Sequence, residues 1–133
     1  MRPINGGKNL MTTARPTVLL CDDSRALRML AASQLEEAGF QVVGEAGNGN
    51  EALAQYRTLK PDLVLLDLVM PECDGRQALA AILAEDPQAR VVILSSLGAQ
   101  ADIEQCLRNG ARSYLQKPID PEVMERVLRE VLA

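Results

Sequence analysis

Apolar positions along this chain alternate between two rhythms. Thr17-Val18-Leu19-Leu20-Cys21, Gln41-Val42-Val43-Gly44-Glu45-Ala46, Leu63-Val64-Leu65-Leu66 and Val91-Val92-Ile93-Leu94 are short β-prone runs. Near-continuous apolar runs of this kind mark strands buried on both faces. Ser113-Tyr114-Leu115 is a shorter fifth strand. After each run the apolar residues recur every three or four positions, as one face of a helix requires. Leu27, Leu30, Ala31, Leu35 and Ala38 form the first such stripe, stopped by Gly39, the usual kind of residue just past a helix end. A second helix is predicted from about Asn50 to Leu59, entered through Gly47-Asn48-Gly49 and followed by Pro61. The third runs from Gly75 to Glu85 with Leu79, Ile82 and Leu83 aligned, and Asp86-Pro87 closes it. Ala99 to Asn109 carries Ile103 and Leu107 on one face, with Asn109-Gly110 as its stop. Asp120 suits an N-cap and Pro121 the first helical position, and Met124, Val127, Leu128 and Val131 space the last helix.

Five strands alternating with five helices give a (βα)5 pattern. The natural architecture is α/β, a doubly wound five-stranded parallel sheet with helices on both faces. Right-handed crossovers leave few strand orders open, and the pattern alone does not choose among them. A chain of 133 residues is most simply one domain. Residues 1–15 hold Arg2, Lys8 and Arg15 without an apolar stretch, so they read as a disordered leader rather than a secretory signal, with Met11 as an alternative start. The domain proper is then 16–133.

Composition sharpens this picture in three ways. Apolar residues make up 47% of the chain but aromatic ones only 2%, so the core is aliphatic. The net charge of −4 argues against nucleic-acid binding, and no apolar run is long enough to span a membrane. Three cysteines without a CxxC pair fit neither zinc nor a disulfide framework and suit a reducing cytoplasm. There is no histidine. That excludes a Ser-His-Asp triad, a Cys-His dyad, histidine metal sites and a phosphohistidine carried by this chain.

Polar residues gather where the strands end: Asp22 and Asp23, Asp67, Ser95 with Ser96, and Lys117. In a parallel sheet all of these lie on one rim, the carboxyl edge where ligands bind. Three carboxylates brought together repel one another unless a cation joins them, and hard oxygen ligands suit Mg²⁺. A lysine and a hydroxyl beside them could hold a phosphoryl group, whose transfer needs mainly positioning and charge neutralisation. Each residue also has an ordinary reading. Asp22, Asp23 and Ser24 could cap a helix, Asp74-Gly75 could be only a turn, and Lys117 a solvated charge. Those readings fail jointly, because they would have to fall on one rim together.

With these elements the chain resembles a response-regulator receiver domain of two-component signalling, of the chemotaxis type. The resemblance rests on Asp22-Asp23-Ser24, Asp67-x-x-Met70-Pro71-x-x-Asp74-Gly75, Ser95-Ser96 and Lys117-Pro118, in that order, and covers nearly everything from Thr17 to Ala133. It implies the flavodoxin-like strand order 2-1-3-4-5. It makes Asp67 the phosphoryl acceptor, with Mg²⁺ (or Mn²⁺) held by Asp23 and Asp67, by the Val69 backbone carbonyl, and by Asp22 through water. Ser95 would bond the phosphoryl group and Lys117 would pair with it. Tyr114 matches the switch aromatic, and Lys117-Pro118 the family's cis peptide.

The implied function is a stand-alone cytoplasmic receiver, phosphorylated by a partner histidine kinase or phosphotransfer protein. Its output would be a downstream protein read through the face of the fourth helix, fifth strand and fifth helix. Such a protein is a monomer or a phosphorylation-dependent dimer, binds neither nucleic acid nor membrane, and catalyses only its own phosphorylation and slow dephosphorylation. The alternative is a receiver fragment of a larger regulator with a DNA-binding or enzymatic output domain. A pseudo-receiver scaffold is disfavoured by the intact acidic set. Val69 and Leu97 are apolar where the family flanks the path of the hydrolytic water, which implies a long-lived phosphoryl group. Two decoys are set aside. Gly47-Asn48-Gly49-Asn50-Glu51-Ala52 fits a dinucleotide fingerprint but sits in the second βα unit and leaves Asp22, Asp23 and Lys117 unused. The aspartyl-phosphate hydrolases, which it also resembles at Asp67, commonly carry a second Asp where this chain has Val69.

Overall fold

The computed structural model describes residues 14–96 and 98–133, so Leu97 and nearly all of the expected leader lie outside it. Ten elements alternate along the chain: β1 (Thr17–Cys21), α1 (Arg25–Glu37), β2 (Gln41–Ala46), α2 (Gly49–Leu59), β3 (Leu63–Asp67), α3 (Gly75–Glu85), β4 (Val91–Ser95), α4 (Gln100–Arg108), β5 (Ser113–Gln116) and α5 (Pro121–Leu132). The strands form one parallel sheet in the order β2-β1-β3-β4-β5, as expected.

Alternation along each strand splits the core into two layers. Leu19, Cys21, Val64, Leu66 and Ile93 face Tyr56 of α2, Leu79 and Ile82 of α3 and Cys106 of α4. Their neighbours Val18, Leu20, Leu63, Leu65 and Leu94 face Leu35 of α1 and Met124 and Leu128 of α5. Both faces are covered, which is why the strands read as unbroken apolar runs.

Local chemistry sets the helix boundaries. Asn48 and Asp120 accept N-terminal amides of α2 and α5. Asp74 and Gln77 form a reciprocal capping box at the start of α3. Gly39, at φ +95°, turns the chain out of α1 in the left-handed region that favours glycine.

The structure differs from the sequence reading in several places. β3, β4 and β5 each run one residue further, to Asp67, Ser95 and Gln116, because these polar residues still pair with a neighbouring strand. α2 begins at Gly49. Leu27 and Leu30 are 44% and 58% exposed; they line an apolar groove of about 330 Å³ between α1 and the Pro118-Ile119 connection. In α4 the buried places are held by Ile103 and Cys106, while Leu107 is 38% exposed. The glycine-rich turn before α2 has its amides occupied. Gly47 N–H donates to Glu51 Oε1 at 2.8 Å and Gly49 N–H to the Cys73 carbonyl at 2.8 Å. A phosphate would find neither donor there, which supports setting the dinucleotide reading aside.

Candidate functional site

The register of the sheet sets the ends of β1, β3 and β4 side by side: Cys21 lies opposite Leu66, and Asp67 opposite Leu94. Asp22 follows β1, Asp67 ends β3, Ser95 ends β4 and Lys117 follows β5. The loop from β3 to α3 returns tightly over this edge. Gly75 N–H donates to the Leu68 carbonyl at 3.0 Å, and Met70 is buried. A Cβ on Gly75 would stand 2.3 Å from the Asp67 carbonyl oxygen and 2.6 Å from Leu68 Cα. Glycine is required there by the close approach of backbone to backbone.

Oxygen atoms from Asp22, Asp23 and Asp67 all lie within 4.8 Å of one another. Asp22 and Asp67 are buried and Asp23 is exposed. Lys117 Nζ donates to Asp22 Oδ2 at 2.7 Å and to Asp67 Oδ2 at 3.1 Å. Asp22 Oδ1 also accepts from Ser24 N–H at 3.0 Å, and Asp67 Oδ1 from Val69 N–H at 3.3 Å. Ser24 Oγ in turn caps α1. The capping reading of the Asp-Asp-Ser segment is therefore true of Ser24, while both aspartates turn to the rim.

Burial is the main influence on Asp67 and raises its pKa; Lys117 pulls the other way and Asp22 adds to the rise. Burial also works against the charge on Lys117, but the two carboxylates together outweigh it and hold the ammonium above its ordinary value. At this spacing an unscreened carboxylate pair costs about 3 kcal/mol at an effective dielectric of about 20. One ammonium against three carboxylates leaves two negative charges uncompensated. The donor set is all oxygen, and that charge is the one a small divalent cation cancels. The residues fit such an ion.

Ser95 is 1% exposed, and its Oγ has no hydrogen-bond partner among the described residues. A buried hydroxyl left without a partner is costly unless something else is bound there. It sits at the end of β4, next to the strand that carries Asp67. Its backbone carbonyl accepts from Lys117 N–H at 2.7 Å, which ties the two strand ends together. The Lys117-Pro118 peptide is cis. Tyr114 is 44% exposed and Val69 75% exposed, so the first lies outward on β5 and the second stands at the rim beside Asp67. Leu97 lies outside the described residues. One contact at the rim has no counterpart in the sequence reading: Arg28 of α1 bonds both the Asp22 carbonyl and Glu45. Arg28 is six positions from Asp22 and 17 from Glu45 along the chain, so no local spacing signals it.

Comparison with known proteins agrees with this geometry. A model described as "Response regulator receiver domain" matches residues 18–129. The chain is 38% identical to a chemotaxis protein CheY of Thermotoga maritima over 114 residues, covering 86% of this chain and 95% of that one. It is 39% identical to a protein-glutamate methylesterase/protein-glutamine glutaminase of Myxococcus xanthus, across 81% of this chain but 32% of that protein. Among solved structures, the CheX-CheY-BeF3-Mg complex from Borrelia burgdorferi superposes with a TM-score of 0.84 at 31% identity, covering 88% and 89% of the two chains. The response regulator domain of Thermotoga maritima CheB gives 0.78 at 34% identity, over 90% and 98%.

Proposed function

The chain belongs to the response regulator receiver domain family, in which phosphorylation-based switching is general, and on that premise we propose that Asp67 is the residue that accepts the phosphoryl group. The observation that carries this reading is the convergence of three carboxylates, Lys117 and the partnerless Ser95 hydroxyl at one strand edge. Residues 16–133 act as the receiver unit.

The donor is a phosphohistidine on a partner kinase or phosphotransfer protein, since this chain has no histidine. An Asp67 carboxylate oxygen attacks phosphorus, and the P–N bond breaks with its electron pair returning to the donor's imidazole. The product is an aspartyl phosphate. Ser95 Oγ donates to one phosphoryl oxygen. Lys117 Nζ, already at Asp67, transfers its hydrogen bond to another. Asp23 and Asp67, with the Val69 carbonyl, would hold Mg²⁺ or Mn²⁺, and Asp22 would do so through water. When bound, the ion supplies charge neutralisation for the acceptor and the phosphoryl oxygens. The apolar groove beside Asp22 and Lys117 suits the apolar face of the donor protein.

Output passes through the face of α4, β5 and α5. There Leu107, Tyr114 and Val123 are exposed apolar side chains ready to be rearranged once Ser95 engages the phosphoryl group. The partner reading that face is a protein. Among the described residues no helix is long and apolar enough to cross a membrane, and a cytoplasmic setting agrees with the free thiols of Cys21, Cys73 and Cys106. Self-phosphorylation and slow hydrolysis are the only reactions the site catalyses. The resemblance to CheY fits a CheY-like regulator.

The test is incubation with a small phosphodonor and Mg²⁺ followed by intact-mass measurement. The wild-type protein gains one phosphoryl group and Asp67→Ala gains none. Equal labelling of both would overturn the assignment.

A further inference from the structure

Arg28 lies one turn into α1, with its backbone N–H bonded to the Ser24 carbonyl, and its side chain is 18% exposed. Nη1 donates to the Asp22 carbonyl oxygen at 2.5 Å, and Nε donates to Glu45 Oε1 at 3.0 Å. Glu45 is fixed in β2, and its own carbonyl accepts from Gln55 of α2 at 2.6 Å. A guanidinium presents its donors as a rigid fork, so fixing one arm on Glu45 orients the other.

The Asp22 carbonyl belongs to the peptide plane that carries the Cα atoms of both Asp22 and Asp23. Holding that plane limits where both carboxylates can point. Asp22 has further anchors in Lys117 and Ser24. Asp23 makes no side-chain hydrogen bond to any other described residue, so its direction rests on the backbone. Glu45 gives Nε an acceptor of its own and so keeps the guanidinium on the peptide plane, off the neighbouring carboxylates.

We propose that Arg28, held by Glu45, is a positioning residue for divalent-cation binding at Asp22, Asp23 and Asp67. The inference rests on the metal-dependent acceptor reading above and adds a residue to it. Charge and positioning predict opposite signs. If Arg28 acted only as a nearby positive charge, removing it would tighten cation binding; as a positioning residue, its removal loosens binding. Outer-shell partners of metal ligands are typically worth about 10- to 100-fold in affinity.

The experiment measures Mn²⁺ binding by the electron paramagnetic resonance signal of free Mn²⁺, with amide hydrogen exchange of the metal-free protein alongside. Arg28→Leu is expected to weaken Mn²⁺ binding about tenfold and to speed exchange at Asp23 and Ser24 without metal. It should raise the Mg²⁺ concentration that half-saturates phosphorylation while leaving the rate at saturation near wild type. Arg28→Lys, which keeps the charge but reaches one acceptor at a time, should fall between the two. It carries the test if Arg28→Leu does not fold. Glu45→Gln, which keeps an acceptor for Nε, should stay near wild type. Unchanged or tighter Mn²⁺ binding by Arg28→Leu, or by Arg28→Lys where that variant stands in, would overturn the role of Arg28 and leave the acceptor reading standing. Failure of the wild-type protein to bind Mn²⁺ would overturn the metal reading and this proposal together.

Discussion

Val69 combines two properties that pull apart. Its amide N–H steadies Asp67 Oδ1, while its side chain is 75% exposed and offers nothing to orient a water molecule. The family resemblance makes Leu97 the second apolar position, and on the proposed acceptor reading hydrolysis of the aspartyl phosphate would then lack a side chain to direct the attacking water. Val69→Asn combined with Leu97→Glu is expected to shorten the phosphoryl lifetime by about an order of magnitude, less than the roughly 100- to 10,000-fold that a positioned proton acceptor contributes. The Val69 change by itself should alter stability by less than about 0.5 kcal/mol, as exposed substitutions usually do. Following loss of the phosphoryl group by intact mass checks the lifetime, and an unchanged or longer one refutes the idea. Gly75 is a second residue with a disproportionate effect. The 2.3 Å and 2.6 Å approaches of a Cβ there are to backbone atoms, which cannot rotate away. Gly75→Ala should cost about 1–3 kcal/mol as overpacking does. It should also displace Asp67 enough to slow phosphorylation several-fold in variants that still fold. Urea denaturation and the labelling assay read the two effects separately.

At the scale of elements, the opposite edge of the sheet carries its own coupling. Tyr56 of α2 donates to Asp86, just past α3, at 2.7 Å. Burial, and then the Asp86 bond, push the Tyr56 phenol up to about 12. The same hydrogen bond, with the Gln88 amide, holds Asp86 below its ordinary value. A phenol raised in the folded state contributes stability that is complete below its unfolded pKa near 10 and fades as pH rises toward 12. A carboxylate lowered in the folded state contributes stability above about 4, lost as pH falls through its depressed pKa. Tyr56→Phe removes the first contribution and weakens the second. Its stability deficit at pH 7 should shrink both below pH 4 and between pH 10 and 12, measured by urea titration across that range. A constant deficit would mean that the bond does not couple to either proton.

The same scale shows what could be read ahead of the structure. Strands buried on both faces leave continuous apolar runs, so β1 to β4 were visible, and with them the rim that gathers Asp22, Asp67, Ser95 and Lys117. Their last residues were less visible, because Asp67, Ser95 and Gln116 are polar yet still paired. Periodicity placed Leu27 and Leu30 on the apolar stripe of α1, but it cannot say how much surface lies beneath that stripe. The sheet covers Ala31 and Leu35, and the first turns border a groove instead. Arg28 and Glu45 were invisible for another reason: their pairing depends on β1 and β2 lying side by side. The strand order itself came from family resemblance, since crossover rules leave several arrangements open.

The whole molecule is organised around a local destabilisation. Two aliphatic layers hold the sheet from both sides, and that scaffold forces three carboxylates to within 4.8 Å at its edge against a single ammonium. Without a cation their mutual repulsion opposes folding; on the proposed metal reading, a bound cation would turn the same arrangement into a favourable binding site. Stability should therefore depend on Mg²⁺ as linkage requires, gaining about 2.7 kcal/mol at a concentration 100 times the dissociation constant. For a domain of this size that is a melting shift on the order of 10 °C. Asp23→Asn separates the two halves of this argument, because the exposed Asp23 adds charge to the cluster without supporting the core. In EDTA the variant should melt at or above the wild-type temperature, and in excess Mg²⁺ below it. The two melting curves must cross as Mg²⁺ is raised. If they coincide at every Mg²⁺ concentration, Asp23 neither repels its neighbours nor binds the ion, and the acidic edge is reduced to Asp22, Asp67 and the lysine between them.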